Sequence, residues 1–352
     1  MGKVRVKPRR RYVGEDAAEA PAARTLPSRY DLNMLPRVII TETLDRTCAD
    51  WLAARTRLER CPYDDDTGRL GRLLAEAEGL VVRTYTRVDE ALLAKAPKLK
   101  VVGRAGVGLD NIDVAACRVR GIEVVYTPDA NSQAVAEYVV ALILDAVRPR
   151  PTLSKPVDAE TFHHLRREEV GRQLDEMTLG IIGFGRVGKR LGRIAHGIGM
   201  NLWVNDLIDE AELRPAVDYP FTFGSLQQVC ERSDVVTVHV DGRAENRRLI
   251  GAEVLGWLKP ECLFINASRG FVVDAPALAE WARRVDAAGG QAALDVHDPE
   301  PIPMDYPLYG LRNVRILPHV ASRTTTAMRN MSWVVRDVAA VLTGSSPDFP
   351  AP

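Results

Sequence analysis

The sequence predicts an α/β protein with two doubly wound, Rossmann-like parallel sheets. From Arg37 onward, short β-rich runs alternate with helical patterns, and the alternation restarts after a charged connection at about 151–175. Strand and helix in regular alternation are typical of βαβ units, which build parallel sheets. A length of 352 residues is also enough for about two domains.

In the first half, each apolar run predicts a strand and the pattern after it predicts a helix. The predicted strands are VIIT, GLVVRT, LKVVGRA and IEVVYT. The helices that follow them are a segment near 44–58, VDEALLAKA, IDVAACRVRG and a long segment at 132–147. This spacing is short enough to join neighbouring parallel strands.

In the second half, six apolar runs predict strands: LGIIGFG, LWVND, VVTVHV, CLFINAS, AALDV and VRILPH. Helices such as SLQQVCERS and APALAEWARRV separate them. The final stretch, TTTAMRNMSWVVRDVAAVLTG, has apolar residues at helical spacing and predicts one helix that ends at Gly344.

Composition narrows the class of protein. Forty-seven basic residues balance 47 acidic ones, so no global charge attracts nucleic acid or an anionic membrane. The five cysteines never form a C-x-x-C pair, which argues against a disulfide framework or a zinc site and favours the cytoplasm. The longest apolar segment, AVAEYVVALILDAV, is too short to span a bilayer.

Residues 1–35 differ in composition from the rest of the chain. Six basic residues within MGKVRVKPRRR precede an Ala/Pro/Glu stretch without apolar periodicity, and no apolar run follows that would make a secretory signal. The segment is predicted to be a flexible arm, with contact to an anionic partner as the alternative.

The strongest local motif is a glycine-rich turn between a predicted strand and a predicted helix. Gly183, Gly185 and Gly188 form G-x-G-x-x-G directly after an apolar strand. The first glycine allows the tight turn, the second lets the backbone approach a pyrophosphate, and the third lets helix and strand pack closely. Asp206 follows at the end of the next strand, where a carboxylate binds adenosine ribose hydroxyls and repels a 2′-phosphate. The motif predicts NAD as the cofactor.

Polar residues follow three later strands at their carboxyl ends. Arg269 lies in INASRG, Glu300 in ALDVHDPEP and His319 in ILPHVAS. The carboxyl ends of parallel strands face the ligand crevice, so these side chains should converge there. A histidine can exchange the proton of a carbinol, a carboxylate can orient it, and an arginine can bind a substrate carboxylate.

With these motifs in family order, the chain resembles the D-isomer-specific 2-hydroxyacid dehydrogenases, closest to their D-3-phosphoglycerate dehydrogenase branch. The resemblance covers about residues 37–344 and includes LKVVGRAGVGLDNIDVAA, TPDANSQAVAEYVVALIL, the glycine motif, NASRG, ALDV and LPHVAS. It implies an NAD-dependent enzyme and a discontinuous architecture. The substrate-binding domain would comprise 36–131 and 320–352, and the NAD-binding domain 132–319.

The resemblance also assigns roles residue by residue. It implies that the catalytic set is Arg269, Glu300 and His319. Cofactor contacts would come from Gly183, Gly185, Arg186, Val187, Gly188, Asp206, Ala267, Ser268 and Asp295, with Asp295 at the nicotinamide end. Val107 and Gly108 would offer backbone amides to the substrate carboxylate. The helix entered through Asn131 and Ser132 would form a homodimer interface, or be simply a core helix.

Several arginines suggest an anionic 2-hydroxyacid substrate. Arg83 and Arg104 match the family's phosphate-holding arginines, although either could be a surface ion-pair partner. Arg323 follows His319 closely, where a small residue is common, and is predicted to select a phosphorylated or otherwise more anionic acid. Asp241 replaces the family's usual proline beside the cofactor. His297 is expected to be a solvated turn residue, and the histidines are not spaced as metal ligands.

Three functions compete at this point. The first is an NAD-dependent D-2-hydroxyacid dehydrogenase, with 3-phosphoglycerate as one candidate substrate. The second is an NAD-sensing, corepressor-like binding protein on the same fold, and the third is a dehydrogenase of a phosphonate or inorganic substrate. After residue 344 too few residues follow for a serine-sensing regulatory domain, so a short form is expected.

Overall fold

The computed structural model describes residues 35–168 and 170–352. Contacts divide the chain into two compact units. The first, here called the split unit, comprises residues 35–131 together with Thr324–Pro352. The second, here called the continuous unit, is Ser132–Arg323. The predicted basic arm lies, apart from residue 35, outside the described residues.

The strands of the described residues are all short. They are β1 Arg37–Ile40, β2 Arg57–Arg60, β3 Gly79–Val82, β4 Val101–Arg104, β5 Glu123–Tyr126, β6 Thr178–Ile182, β7 Asn201–Asn205, β8 Thr222–Phe223, β9 Val235–Val238, β10 Leu263–Asn266, β11 Gln291–Leu294 and β12 Val314–Ile316.

The α-helices of the same residues range from one turn to 16 residues. They are α1 Arg46–Ala53, α2 Arg69–Leu74, α3 Glu90–Leu93, α4 Val114–Val119, α5 Ser132–Val147, α6 Ala159–Glu168, α7 Arg186–Gly197, α8 Glu210–Leu213, α9 Leu226–Arg232, α10 Ala252–Gly256, α11 Ala275–Val285, α12 Thr325–Ser332 and α13 Val335–Leu342. No helix among them is long and apolar enough to cross a membrane.

The split unit is built on a five-stranded parallel sheet with the order β2-β1-β3-β4-β5. Side chains of β3 alternate between two cores, because successive strand residues point to opposite faces. Leu80 and Val82 pack in the core on one face, and Val81 packs on the other with residues of α1 and α13. A sheet buried on both faces explains why its strands read as continuous apolar runs.

The continuous unit is built on a seven-stranded parallel sheet with the order β12-β11-β10-β9-β6-β7-β8. Residues of α5 and α7 cover one face, and residues of α9, α10 and α11 cover the other. From β6 the chain runs to β7 and β8 on one side and then crosses to β9 on the other. Ligands of such sheets bind at this reversal, at the carboxyl ends of the strands. The predicted fold class is confirmed.

Several elements differ from the prediction, including the two-residue strand β8, which is not among the six predicted strands of the second half. The strand β2, with sequence RLER, was not predicted because it is an edge strand without an apolar run. The terminal helix is two helices, broken after Ser332. The Ser332 hydroxyl donates to the Met328 carbonyl at 2.7 Å and accepts from the Asp45 N–H at 2.9 Å. Such side-chain to backbone bonds bend helices.

A close contact between Gly103 and Val338 joins β4 to α13. A Cβ atom at Gly103 would lie 2.4 Å from Cγ2 of Val338. We expect Gly103→Ala to lower the free energy of unfolding by about 2 kcal/mol, because overpacked cores must shift. Chemical denaturation would measure this loss. Adding Val338→Ala should make Gly103→Ala less costly than it is alone. Gly197→Ala, where an added Cβ meets nothing within 4 Å, is the control. Additive costs of the two core changes would contradict the proposed contact.

Candidate active site

The glycine-rich turn connects β6 to α7 in the continuous unit. Gly183 has a φ of +90°, which a residue with a side chain rarely adopts. A Cβ there would lie 2.7 Å from the His239 carbonyl, and one at Gly188 would lie 2.4 Å from the Gly183 oxygen. At Gly185, by contrast, an added Cβ would meet nothing within 4 Å. Two glycines are therefore required by the protein's own packing, while the third borders open space.

This pattern fits a dinucleotide. The open position at Gly185 is exposed and caps α7. The N–H groups of its first residues, Arg186 and Val187, have no partner within the helix and lie at the positive end of its dipole. Such an end binds a pyrophosphate. Asp206 follows β7, the strand that pairs with β6. Its carboxylate accepts from the Phe184 N–H at 2.5 Å and the Ile208 N–H at 2.9 Å, so it is held beside the glycine turn.

The central pair of the candidate site is His319 with Glu300. Nδ1 of His319 lies 2.8 Å from Oε2 of Glu300, and the His297 N–H donates to Oε1, also at 2.8 Å. Burial alone would raise the pKa of Glu300. The pKa is nevertheless below its ordinary value, because His319 contributes a hydrogen bond and charge and the His297 N–H contributes a second hydrogen bond. Glu300 is therefore a carboxylate, which fixes the proton of His319 on Nδ1 and leaves Nε2 to exchange protons.

His319 lies on an unusual stretch of backbone. Its φ is +55°, a left-handed conformation that is uncommon for a residue with a side chain. Asp295, which is fully buried, accepts from the N–H groups of Val320 at 2.9 Å and Ala321 at 2.8 Å. Burial raises the pKa of Asp295, while these N–H groups oppose that rise. Both oxygens of Asp295 thus hold the turn that carries His319.

Arg269 is positioned by the loop after β10. Ser268 donates through its N–H and its hydroxyl to Oδ1 of the buried Asn266, at 3.0 and 2.8 Å. Nδ2 of Asn266 donates to the Arg269 carbonyl at 2.9 Å, and the guanidinium donates to the Ser268 carbonyl at 2.8 Å. The half-buried Ala267 lies in the same loop. These bonds leave the loop few alternative conformations.

Gly270 brings this loop against the segment that carries Glu300. A Cβ at Gly270 would lie 1.9 Å from the carbonyl carbon of His297, so no side chain fits there. The two main chains are therefore in direct contact. Arg269 therefore lies next to the segment that carries Glu300.

The prediction that His297 is a solvated turn residue is wrong. Its exposed fraction is 6%, its Nε2 lies 2.8 Å from the Leu317 carbonyl and its Nδ1 lies 3.3 Å from the Tyr306 hydroxyl. A carbonyl only accepts, so Nε2 carries the proton and Nδ1 accepts from Tyr306. His297 thus fixes the backbone that donates to Glu300, a role that no local sequence signal reveals.

In the split unit, Glu42 holds the loop that follows β3. Its carboxylate accepts from the N–H groups of Arg83, Thr84, Tyr85 and Thr86 and from the Thr86 hydroxyl, at 2.8 to 3.2 Å. Asn111 donates to carbonyls of the same loop. The guanidinium of Arg83 donates to the Thr43 carbonyl at 3.3 Å. Sequence analysis did not single out Glu42, because nothing local shows that β1 and β3 are neighbours.

The other predicted substrate residues lie on two segments. Arg104, Val107 and Gly108 belong to the split unit, at and after the carboxyl end of β4. The guanidinium of Arg104 donates to the Ala105 carbonyl at 2.8 Å and packs over Gly106. Arg323 is the exposed last residue of the continuous unit, and its N–H donates to the Val320 carbonyl at 2.8 Å. Among the described residues, no group of three or more His, Cys, Asp or Glu could hold a metal ion.

Comparison with known proteins agrees with this geometry. Residues 140–321 match the family described as D-isomer specific 2-hydroxyacid dehydrogenase, NAD binding domain. The chain is 36% identical over 264 residues to the D-3-phosphoglycerate dehydrogenase of Methanocaldococcus jannaschii, covering 75% of this chain and 49% of that protein. It is 38% identical over 308 residues to the (S)-sulfolactate dehydrogenase of Chromohalobacter salexigens, covering 85% of this chain and 96% of that protein.

Among solved structures, the TT0316 protein from Thermus thermophilus is similar with a TM-score of 0.77 and 31% identity, covering 90% of this chain and 100% of that one. The chain spans about half the length of the D-3-phosphoglycerate dehydrogenases that it matches. The fold and the glycine turn define a dinucleotide-binding α/β protein. More specifically, the chain belongs to the D-isomer specific 2-hydroxyacid dehydrogenases, and residues 140–321 are its NAD-binding domain. The resemblance and the cofactor predicted from the motifs are confirmed.

Glu42 provides a test of how the split unit is held together. Burial raises the pKa of Glu42, but the N–H groups of Thr86, Thr84, Arg83 and Tyr85 together hold it below the ordinary 4.5. We expect Glu42→Gln to lower the free energy of unfolding by about 2 kcal/mol at neutral pH, because hydrogen bonds to a charged acceptor are lost.

When folding lowers the pKa of a carboxyl group, the group stabilises the folded state at pH values above its pKa in the unfolded chain. This stabilisation is lost as the pH falls through its pKa in the folded chain. The difference between wild type and Glu42→Gln should therefore be full above about pH 4.5 and shrink in more acidic solution. Denaturation curves at several pH values measure it. Glu123→Gln, which removes an exposed carboxylate at the start of β5, is the control. A difference that does not change with pH would contradict the assignment.

Proposed function

We propose that the protein is an NAD-dependent dehydrogenase that transfers a hydride between NAD and a D-2-hydroxyacid or its 2-oxoacid. The observation that carries this proposal is the 2.8 Å hydrogen bond between Glu300 and His319 inside an NAD-binding domain. The glycine turn and Asp206 would hold NAD, which when bound would supply the hydride acceptor for the carbinol carbon. The remaining chemistry is the transfer of the hydroxyl proton, for which a base must be available.

Nε2 of His319 is that base. It takes the hydroxyl proton during oxidation and returns it during reduction. Glu300 stabilises the imidazolium that forms, because its carboxylate stays ionised beside the ring. The ring is 43% exposed in the chain alone, so a substrate can reach it. Asp295 positions His319 indirectly, because it accepts hydrogen bonds from the N–H groups of Val320 and Ala321, which follow His319.

Arg269 binds the substrate carboxylate and polarises the carbonyl oxygen in the reverse direction. A guanidinium matches a carboxylate with two parallel hydrogen bonds and stabilises charge that develops on oxygen. Substrate contacts from the split unit would come from the backbone amides of Val107 and Gly108. Ala267, Ser268 and the glycine turn would complete the cofactor site.

The substrate is proposed to carry a second anionic group. Arg83, Arg104 and Arg323 are the candidates for binding it, and the relatives include dehydrogenases named for a phosphorylated and a sulfonated 2-hydroxyacid. A substrate with a second charged group binds guanidinium groups better than a substrate with a neutral group at that position would. We therefore favour a phosphorylated or sulfonated acid, with 3-phosphoglycerate as the first candidate.

A homodimer in the cytoplasm is the proposed assembly and location. All five cysteines are buried free thiols, which fits a reducing compartment. The proposed interface is α5, the helix entered through Asn131 and Ser132, which exposes Gln133, Glu137 and Ala141. Helix α6 has no buried residue and leaves Phe162 44% exposed, so a second copy would also give its apolar side chains a partner.

Absorbance at 340 nm with NAD and a panel of acids tests the activity. We expect turnover of 3-phospho-D-glycerate or a sulfolactate enantiomer, and a fall in kcat of about 100-fold or more for His319→Gln, because general base catalysis is lost. NADH should bind this variant as it binds wild type. His196→Gln, an exposed histidine at the far end of α7, is the control. Binding of NADH without turnover of any acid would instead favour a binding protein.

Arg323 is tested by its effect on substrate preference. We expect Arg323→Ala to lower kcat/KM for doubly charged acids about tenfold relative to D-lactate, because one charged hydrogen bond is lost. Arg315→Ala removes another exposed arginine, paired with Asp145, and serves as the control. An unchanged ratio between the two classes of acid would contradict a role for Arg323 in selection.

A further inference from the structure

The loop after β9 carries an acid, Asp241, that is paired with an arginine of the same loop. Oδ1 of Asp241 accepts from Nε of Arg243 at 2.7 Å, and Oδ2 accepts from Nη2 at 2.5 Å. Nδ2 of the buried Asn246 donates to both the carbonyl and Oδ1 of Asp241, at 3.0 Å each. The carboxylate of Asp241 is therefore held by Asn246 and binds the guanidinium of Arg243 with both oxygens.

This loop borders the glycine turn. The His239 N–H donates to the Ile182 carbonyl at 2.7 Å, and Gly183 approaches the His239 carbonyl so closely that a Cβ would lie 2.7 Å from it. In the sheet, β6 lies between β9 and β7. The pair of Asp241 and Arg243 therefore follows the strand on one side of the glycine turn, and Asp206 follows the strand on the other.

Arg243 also interacts electrostatically with Asp206. The hydrogen bond and charge of Asp241 raise the pKa of Arg243, and the charges of Glu245 and Asp206 add to the rise. Asp206 occupies the position that contacts the adenosine ribose in this fold. Because β7 and β9 both pair with β6, the loops that carry Asp206 and Arg243 begin at the same edge of the sheet, beside the glycine turn, where the 2′-phosphate of NADP would lie.

Arginine is the residue that accommodates a 2′-phosphate in dinucleotide-binding domains, because its fork binds phosphate oxygens in pairs. Here the fork is already occupied by a carboxylate two residues away in the chain. The other two arginines of the loop are paired as well, Arg247 with Asp298 and Arg248 with Asp274. Each of the three arginines of this loop therefore has an acid beside it.

We propose that Asp241 is a cofactor-selecting residue: by holding the guanidinium of Arg243 it withholds that group from a 2′-phosphate. Asp206 repels the phosphate directly, and Asp241 removes the cation that would offset this repulsion. NAD, which lacks the phosphate, is unaffected by the pair. The inference rests on the cofactor site of the proposed function and adds a second determinant to it.

Binding of NADH and NADPH to the full chain, measured by titration calorimetry without substrate, tests the inference. We expect Asp241→Ala to bind NADPH about tenfold more tightly than wild type, because the freed guanidinium forms a charged hydrogen bond with the phosphate. NADH affinity should change less than twofold. The double variant Asp241→Ala/Arg243→Ala should return NADPH binding to the wild-type level.

The double variant separates two explanations. If it binds NADPH as tightly as Asp241→Ala alone, the acid acts only by its own charge and the proposal is wrong. Arg243→Ala alone should leave NADPH binding within twofold of wild type, and a larger loss would mean that the guanidinium already binds the phosphate. Arg243→Ala keeps Asp241 and its hydrogen bonds with Asn246, so it remains informative if Asp241→Ala unfolds.

Asp286→Ala is the matched control. Asp286 accepts from Nε of Arg312 with both oxygens, at 3.0 and 2.7 Å, but it follows α11 and precedes β11, at the amino ends of the strands. Its removal frees an arginine far from the glycine turn and should not change NADPH affinity. A gain equal to that of Asp241→Ala would overturn the proposal. Failure of wild type to bind NADH would overturn the proposed function itself, and with it this inference.

Discussion

Loops of the continuous unit meet by direct contact between their main chains, and glycines make these contacts sterically possible. Gly183 lies against the His239 carbonyl, Gly188 against the Gly183 oxygen, and Gly270 against the His297 carbonyl carbon. The first and third contacts join segments at the carboxyl ends of different strands, and the second holds α7 against the turn after β6. A single Cβ at any of them would displace a loop that carries a functional side chain, so the geometry of the whole site depends on their absence.

Carboxylates then fix the loops that the glycines bring together. Asp206 accepts from the N–H groups of Phe184 and Ile208, and Asp295 accepts from those of Val320 and Ala321. In the split unit, Glu42 does the same for four successive residues after β3. A carboxylate is suited to this role because its two oxygens can accept several N–H groups that would otherwise be unpaired. The loops of the site are thus held by hydrogen bonds from backbone N–H groups to carboxylate side chains.

The sequence predicts what depends on local pattern and leaves out what depends on contacts distant in the chain. The apolar runs predict both sheets, and the spacing of Gly183, Gly185 and Gly188 predicts the turn, because these signals lie within one βαβ unit. His297 was misread because its partners, Tyr306 and Leu317, meet it only in the folded chain. The break after Ser332 escaped prediction for the same reason, since Asp45 supplies one of its hydrogen bonds.

The balance between basic and acidic residues also holds locally, around the strand ends of the continuous unit. The chain as a whole is neutral, with 47 basic and 47 acidic residues, and several arginines around the continuous unit's strand ends are matched by acids. Asp241 interacts with more than one of the unit's arginines: its hydrogen bonds with Arg243 lower its own pKa, and the charge of Arg269 lowers it further. An acid that is shared in this way keeps the guanidinium groups from repelling each other and decides which of them is available to an anion. Selectivity in such a site depends less on how many cations it contains than on which acids already hold them.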